Sequence, residues 1–149
     1  MNIVRHLTTI LEDMKNDTDC LLNSYQYNDK PSANINLDRK MEDITALLIQ
    51  ITDFQLEMNS MTVRETADIN ISFLQRETKL DAQGSEQDIM IDNTKDVAID
   101  FLKRVLALKG FRIVDDTINV KSVFLRSDSA RTGVNISFKI TELQGTCIL

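Results

Sequence analysis

The chain has 149 residues, of which 42% are hydrophobic and 27% charged, with one proline and four glycines. This length and composition predict one globular domain spanning residues 1–149 and exclude a disordered or low-complexity chain. The net charge of −6, with lysines and arginines that do not cluster, argues against specific binding of nucleic acid or of a membrane surface.

The beginning of the chain and its apolar segments bear on its location. No apolar run approaches the roughly 20 residues needed to span a bilayer, and MNIVRHLTTILEDMKND has acidic residues and no small-residue cleavage site. We therefore expect a soluble protein made in a cytoplasm. Cys20 and Cys147 are expected as reduced thiols, although their number also allows a disulfide.

The N-terminal third predicts one helix and one short strand. A helix ending near Asp17 is predicted by an apolar stripe at the helical period: Ile3, Leu7, Ile10, Leu11 and Met14. Residues 20–28 predict a short strand whose alternation is imperfect. Residues 29–42 contain the only proline and predict an exposed loop or an edge ribbon.

Two long β segments follow. In 44–58 the apolar phase shifts near Thr52–Asp53, which predicts a strand with a β-bulge, and a helix is the alternative interpretation. Residues 63–77 alternate clearly and predict a strand, with NSMT (59–62) as the hairpin turn before it. The residues predicted to face inward from this strand are Val63, Ala67, Ile69, Ile71 and Phe73.

The C-terminal half predicts a polar loop at 79–89, a helix at 93–110 and further strands. Asn93 and Asp96 resemble a capping box, Asp100 can pair with Lys103 or Arg104, and Gly110 is predicted to be the glycine that ends the helix. Residues 111–128 predict one bent strand or two short ones. SDSART (127–132) predicts a hairpin connection, and 133–143 a closing strand.

The predicted order is α-β-β-β-α-β-β. This order favours an α+β fold in which an antiparallel or mixed sheet carries two helices on one face. The predicted core contains Leu7, Ile10, Leu11, Ile69, Ile71, Phe73, Val97, Phe101, Val105, Val134, Ile136 and Phe138.

No residues show the spacing of a catalytic or metal-binding site, so we predict no enzyme, no cofactor and no metal. His6 falls on the polar side of the first helix, and Cys147 has no helix N-terminus nearby to lower its pKa. Acids close in sequence are predicted to be solvated: Asp13 with Asp17, and Asp115 with Asp116. Four arginines are predicted on outward faces or loops: Arg64, Arg76, Arg126 and Arg131.

The order of elements and four stretches of sequence resemble the tail terminator (tail-completion, minor tail) proteins of long-tailed bacteriophages and prophages. The stretches are MNIVRHLTTILEDM, ITALLIQITDFQLEMNS, DNTKDVAIDFLKRVLALKGFRIV and GVNISFKITELQG. The last has the form G-V-x-x-x-F/L followed by E-x-x-G, and the similarity covers nearly the whole chain.

The resemblance implies a virion structural protein that forms a homo-oligomeric ring, a hexamer in the assembled state. Such a ring caps the tail tube, stops its polymerisation and joins it to the head connector. Tail-tube and head-connector proteins would be its partners, first in the host cytoplasm and then in the virion tail. Arg126, Asp128 and Arg131 flank the last hairpin and are predicted interface residues. Residues 29–42 and 79–92 are expected to be mobile loops that order on contact.

Two other functions stay open. One is a cytoplasmic interaction module, a tail chaperone or adaptor, with the same fold and no ring. The other is a small ligand-binding or enzymatic α+β protein, which would need a deep pocket with convergent polar groups. Particle mass separates a ring from a module.

Overall fold

The computed structural model describes residues 3–28, 43–77, 84–126, 130–144 and 146–147. Over these ranges the chain has an α+β fold with two helices and eight strands in one mixed sheet, so the predicted class is confirmed. The elements are α1 (Ile3–Asn16), β1 (Leu22–Asn28), β2 (Ile44–Ile49), β3 (Phe54–Met58), β4 (Thr62–Arg76), α2 (Gly84–Leu106), β5 (Phe111–Ile113), β6 (Val120–Arg126), β7 (Ala130–Glu142) and β8 (Thr146–Cys147).

The sheet is built around the long antiparallel pair β4 and β7. β2 and β3 both pair with β4 on the side away from β7, and β5 and β6 both pair with β7 on the side away from β4. β1 extends the sheet as a parallel neighbour of β2, and the other pairs are antiparallel. The central pair is therefore flanked by two short strands on each side, β2 and β3 beside β4 and β5 and β6 beside β7.

One hydrophobic cluster joins the two helices to one face of the sheet. α1 contacts β1 and α2, and α2 contacts β4 and β7. The Phe101 ring of α2 packs against β4 and β7. Its centroid lies 5.6 Å from that of the Phe73 ring and 6.5 Å from that of the Phe138 ring. All twelve predicted core residues are buried, because the helical and strand periods assign them correctly to the inward faces.

Segment 44–58 forms two strands, which rules out the helical alternative. Leu48 pairs with Ile71 and Phe54 pairs with Ala67, so five residues (49–53) lie opposite three residues of β4 (68–70). The interruption is longer than the predicted one-residue bulge. It separates the buried β2 from the exposed β3, and the predicted turn at 59–62 follows, with the Asn59 side chain accepting two backbone N–H bonds at 2.8 and 2.9 Å.

The second helix begins at Gly84, so the predicted start at Asn93 is wrong, as is the predicted loop over 84–92. Met90 and Thr94 extend the buried stripe towards the N-terminus, and the Asn93 side chain donates to Gln75 of β4 at 3.3 Å instead of capping a helix. The helix ends at Leu106. Gly110, with φ of 87°, lies in the following turn and is not the residue that ends the helix.

The C-terminal hairpin has the predicted topology with different bounds. Residues 111–126 form two short strands, one of the two alternatives predicted for 111–128. β7 begins at Ala130, three residues before the predicted start, so the predicted connection at 127–132 is wrong for residues 130–132. A Cβ on Gly133 would lie 1.9 Å from the backbone oxygen of Phe73, so the close approach of β7 to β4 requires glycine there. The predicted loop at 29–42 lies outside the described residues.

Candidate functional site

A cleft of about 440 Å³ lies on the sheet face opposite the helices, next to the interruption between β2 and β3. Its charged lining residues are Asp53, Asp68, Asp115 and Lys139. The Asp115 carboxylate accepts the backbone N–H of Lys139 at 3.1 Å, and Lys139 Nζ lies 4.0 Å from Asp68. Within the described ranges no group of three or more His, Cys, Asp and Glu could hold a metal ion. Asp68, Asp115 and Lys139 thus contact one another across this face of the sheet.

A second cleft, of about 550 Å³, lies where the end of α1 meets α2. Arg104 Nη2 donates to Asp17 Oδ2 at 2.8 Å, and Arg104 Nε donates to Asp100 at 3.2 Å, as predicted for that i,i+4 pair. The Asp19 backbone N–H and the Arg104 guanidinium lower the pKa of Asp17. Burial raises the pKa of the Cys20 thiol, which keeps it protonated. These groups connect two helices, and they offer no nucleophile.

Of the three predicted interface residues, only Arg131 has a side chain in the described part of the chain. Arg131 is only 1% exposed, and its Nη1 donates to Thr45 Oγ1 of β2 at 3.3 Å, so its predicted surface position is wrong. β7 begins at Ala130, so Arg131 belongs to a strand of the sheet and not to the predicted hairpin connection. Arg126 ends β6, but its side chain and all of Asp128 lie outside the described residues.

Among the described residues, the two most exposed apolar side chains of the sheet, Leu56 and Met58, lie on β3. Phe54, Leu56 and Met58 are 47%, 61% and 69% exposed and point to the same face of the strand. We call these three residues the β3 apolar row. Met61, in the adjoining turn, is also exposed. Clustered apolar exposure of this kind marks interaction surfaces more often than isolated exposed residues do.

In the described part of the chain β3 is an edge strand. β3 pairs with β4 on one side, and among the described residues no strand pairs with its other side. Natural edge strands are usually protected by lysine, proline or a covering element. β3 has an acidic residue, Glu57, as its sole charge and no proline. In the sequence, the shift of the apolar phase near Thr52–Asp53 marks the place where β3 separates from β2. The alternation of apolar residues alone does not show that β3 lies outside the core.

β6 forms a second edge, on the opposite side of the described sheet. Val120 and Phe124 are 43% and 48% exposed, and Lys121 is exposed on the other face of the strand. β6 pairs with β7, and its outer side meets no strand in the ranges described. The chain thus presents apolar side chains at two edges that face away from each other.

Two further sequence expectations concern His6 and the crossing of a membrane. His6 is exposed, as predicted, and its ring packs edge-on against Phe111 with a centroid distance of 5.2 Å. Neither of the two described helices has the length and apolar composition needed to cross a membrane. In comparisons with known proteins, no protein-family model and no curated protein sequence matches this chain.

Proposed function

We propose that this protein is a virion structural protein of the tail terminator type, which assembles into a ring that caps the tail tube and joins it to the head connector. The observation that carries the proposal is the β3 apolar row at an open sheet edge. Exposed apolar side chains next to unpaired backbone groups favour association with another protein chain.

The positions of the two open edges also support a ring. Because β3 and β6 face opposite sides of one sheet, contacts between unlike edges are heterologous, and such contacts close into rings when the rotation between copies allows it. The net charge of −6 suits a ring through which DNA must slide, since an acidic wall does not bind phosphates. The partners in this proposal are further copies, the tail-tube protein and the head-connector proteins.

A second candidate is an adaptor or tail chaperone with the same fold. The same open edge of β3 could bind an extended segment of another protein by strand addition, with the β3 apolar row giving side-chain specificity. This function needs no ring, so the copy number of the particle distinguishes it from the terminator function.

The function is tested by adding the protein to polymerising tail-tube protein encoded by a neighbouring gene. We expect shorter tubes that carry a cap at one end in negative-stain electron micrographs. Leu56→Lys, which disrupts the β3 apolar row, should lose this effect. Leu106→Lys, which places the same charge at a 65% exposed position on α2, should keep it. Tubes of unchanged length and bare ends with the wild-type protein would contradict the terminator function.

A further inference from the structure

We infer that β3 of one copy pairs in antiparallel orientation with β6 of a second copy, in the register Phe54 opposite Phe124 and Met58 opposite Val120. This interface rests on the proposed function in one respect, namely that the partner is another copy of the chain. It adds which edges meet, which residues face each other and how successive copies are displaced.

The strand directions agree with this pairing. β3 is antiparallel to β4, β4 to β7 and β7 to β6, so β3 and β6 run in opposite directions within the sheet. A second copy that continues the sheet, with its helices on the same side, therefore brings its β6 to β3 in antiparallel orientation. Both edges belong to the same sheet and expose apolar residues, so neither has to refold to meet the other.

The two faces of the strands also match. Phe54 pairs with Ala67 of β4 and Phe124 pairs with Thr132 of β7, and these positions belong to the sheet face that carries the helices. In the inferred register, two of the three helix-side pairs are apolar, Phe54 with Phe124 and Met58 with Val120, and Leu56 lies between them opposite Ser122. Aromatic and aliphatic pairs across strands are the contacts that stabilise antiparallel sheets.

Charge complementarity favours the same partner and register. Residues 53–58 contain two acidic residues and no basic ones, whereas residues 120–126 contain two basic residues and no acidic ones. In the inferred register Glu57 lies directly opposite Lys121. Both residues lie on the sheet face away from the helices, because Glu57 pairs with Arg64 and Lys121 pairs with Asn135. A same-edge contact would instead place acids against acids or bases against bases.

The pairing displaces each copy along the strands. Phe54 is level with Ala67 and hence with Ile140 of β7. Phe124 is level with Thr132, so the two edges are eight residues of β7 apart, or roughly 27 Å at about 3.4 Å per residue. A ring then closes only with strands inclined to its axis, as in β-barrels, and otherwise the copies form a helical filament.

A charge exchange tests the interface. Glu57→Lys or Lys121→Glu alone replaces an attractive cross-strand pair by a repulsive one and should raise the dissociation constant about tenfold. The double variant should restore wild-type association in sedimentation velocity. Asp88→Lys, an equal charge change at an exposed position of α2, should leave it unchanged. A double variant that stays as weak as the singles, or a control that weakens equally, would overturn the inferred pairing.

A cysteine pair tests the register without depending on affinity. In a chain with Cys20→Ser and Cys147→Ser, Glu57→Cys together with Lys121→Cys should give oxidised ladders of linked copies, because directly opposed residues are within disulfide reach. Glu57→Cys with Lys109→Cys should give none. Assembled particles without cross-links would overturn this inference and leave the ring function standing. Cross-linked particles that form filaments, or that leave tail tubes uncapped, would overturn the ring function and leave the inference standing. A wild-type chain that never associates would overturn both.

Discussion

Replacing Phe101 with alanine removes a side chain from the centre of the core. Phe101 is fully buried, and its ring contacts those of Phe73 and Phe138. Truncating a buried phenylalanine costs about 3–5 kcal/mol, and aromatic pairs add about 0.5–1.5 kcal/mol beyond burial. Because two such pairs are lost, we expect the free energy of unfolding to fall by about 4–5 kcal/mol, the upper part of the range for buried phenylalanines.

Urea denaturation followed by far-ultraviolet circular dichroism measures this loss. With an m value of about 2 kcal/mol/M, the midpoint should fall by roughly 2 M. Phe54→Ala is the matched control at a protein concentration low enough for single chains, because the same truncation on exposed β3 removes few contacts within one chain and should shift the midpoint by less than about 0.5 M. Equal shifts for the two variants would refute the assignment of Phe101 to the core.

Three further predictions concern a charge cluster, a glycine and the thiols. Asp17 has a lowered pKa in the folded chain, so its stabilising effect is present above its unfolded pKa and disappears as the pH falls through its folded pKa. Asp17→Asn should therefore make the melting temperature less sensitive to acidification below about pH 4. If the melting temperature of the variant depends on pH as that of the wild type does, the pairing of Asp17 with Arg104 does not stabilise the fold. Gly133→Ala should cost about 3 kcal/mol or more in thermal unfolding, because the new Cβ collides with backbone; a melting temperature like that of the wild type would contradict this. Cys20→Ser with Cys147→Ser should keep the fold and the elution volume, whereas loss of wild-type stability on reduction alone would indicate a disulfide.

The periodic parts of the fold could be predicted from the sequence because burial imposes a period on the chain. Ile3, Leu7 and Met14 recur at the helical spacing, and Ile69 and Phe73 alternate with polar residues as a half-buried strand requires. The start of α2 could not be predicted in this way. Its first turns are mostly polar and show no clear apolar stripe. Asparagine is a common N-cap residue, so Asn93 suggests the start of a helix, although in the structure it lies inside α2 and its side chain bonds to Gln75 of β4.

The candidate surface could be predicted only in part, because its properties depend on long-range neighbours. Leu56 alternates like a core residue, and its exposure follows from β3 lying beyond the helices, which the local pattern does not encode. Arg131 is charged and lies in SDSART (127–132), just before Gly133, so sequence reasoning places it in a surface loop. Its burial depends on where β7 begins and on Thr45 from a distant segment. The parallel pairing of β1 with β2 could not be predicted either, because apolar and polar residues alternate in the same way in parallel and antiparallel strands.

The mass of the particle in solution tests the assembly claim most directly. Light scattering coupled to size exclusion measures this mass across a series from micromolar to millimolar protein. We expect the mass to rise with concentration to several times the 17.0 kDa of one chain. The Leu56→Lys variant should stay at the mass of one chain over the same series. A wild-type protein that remains at 17.0 kDa up to millimolar concentration would contradict the ring and leave the adaptor function as the remaining candidate.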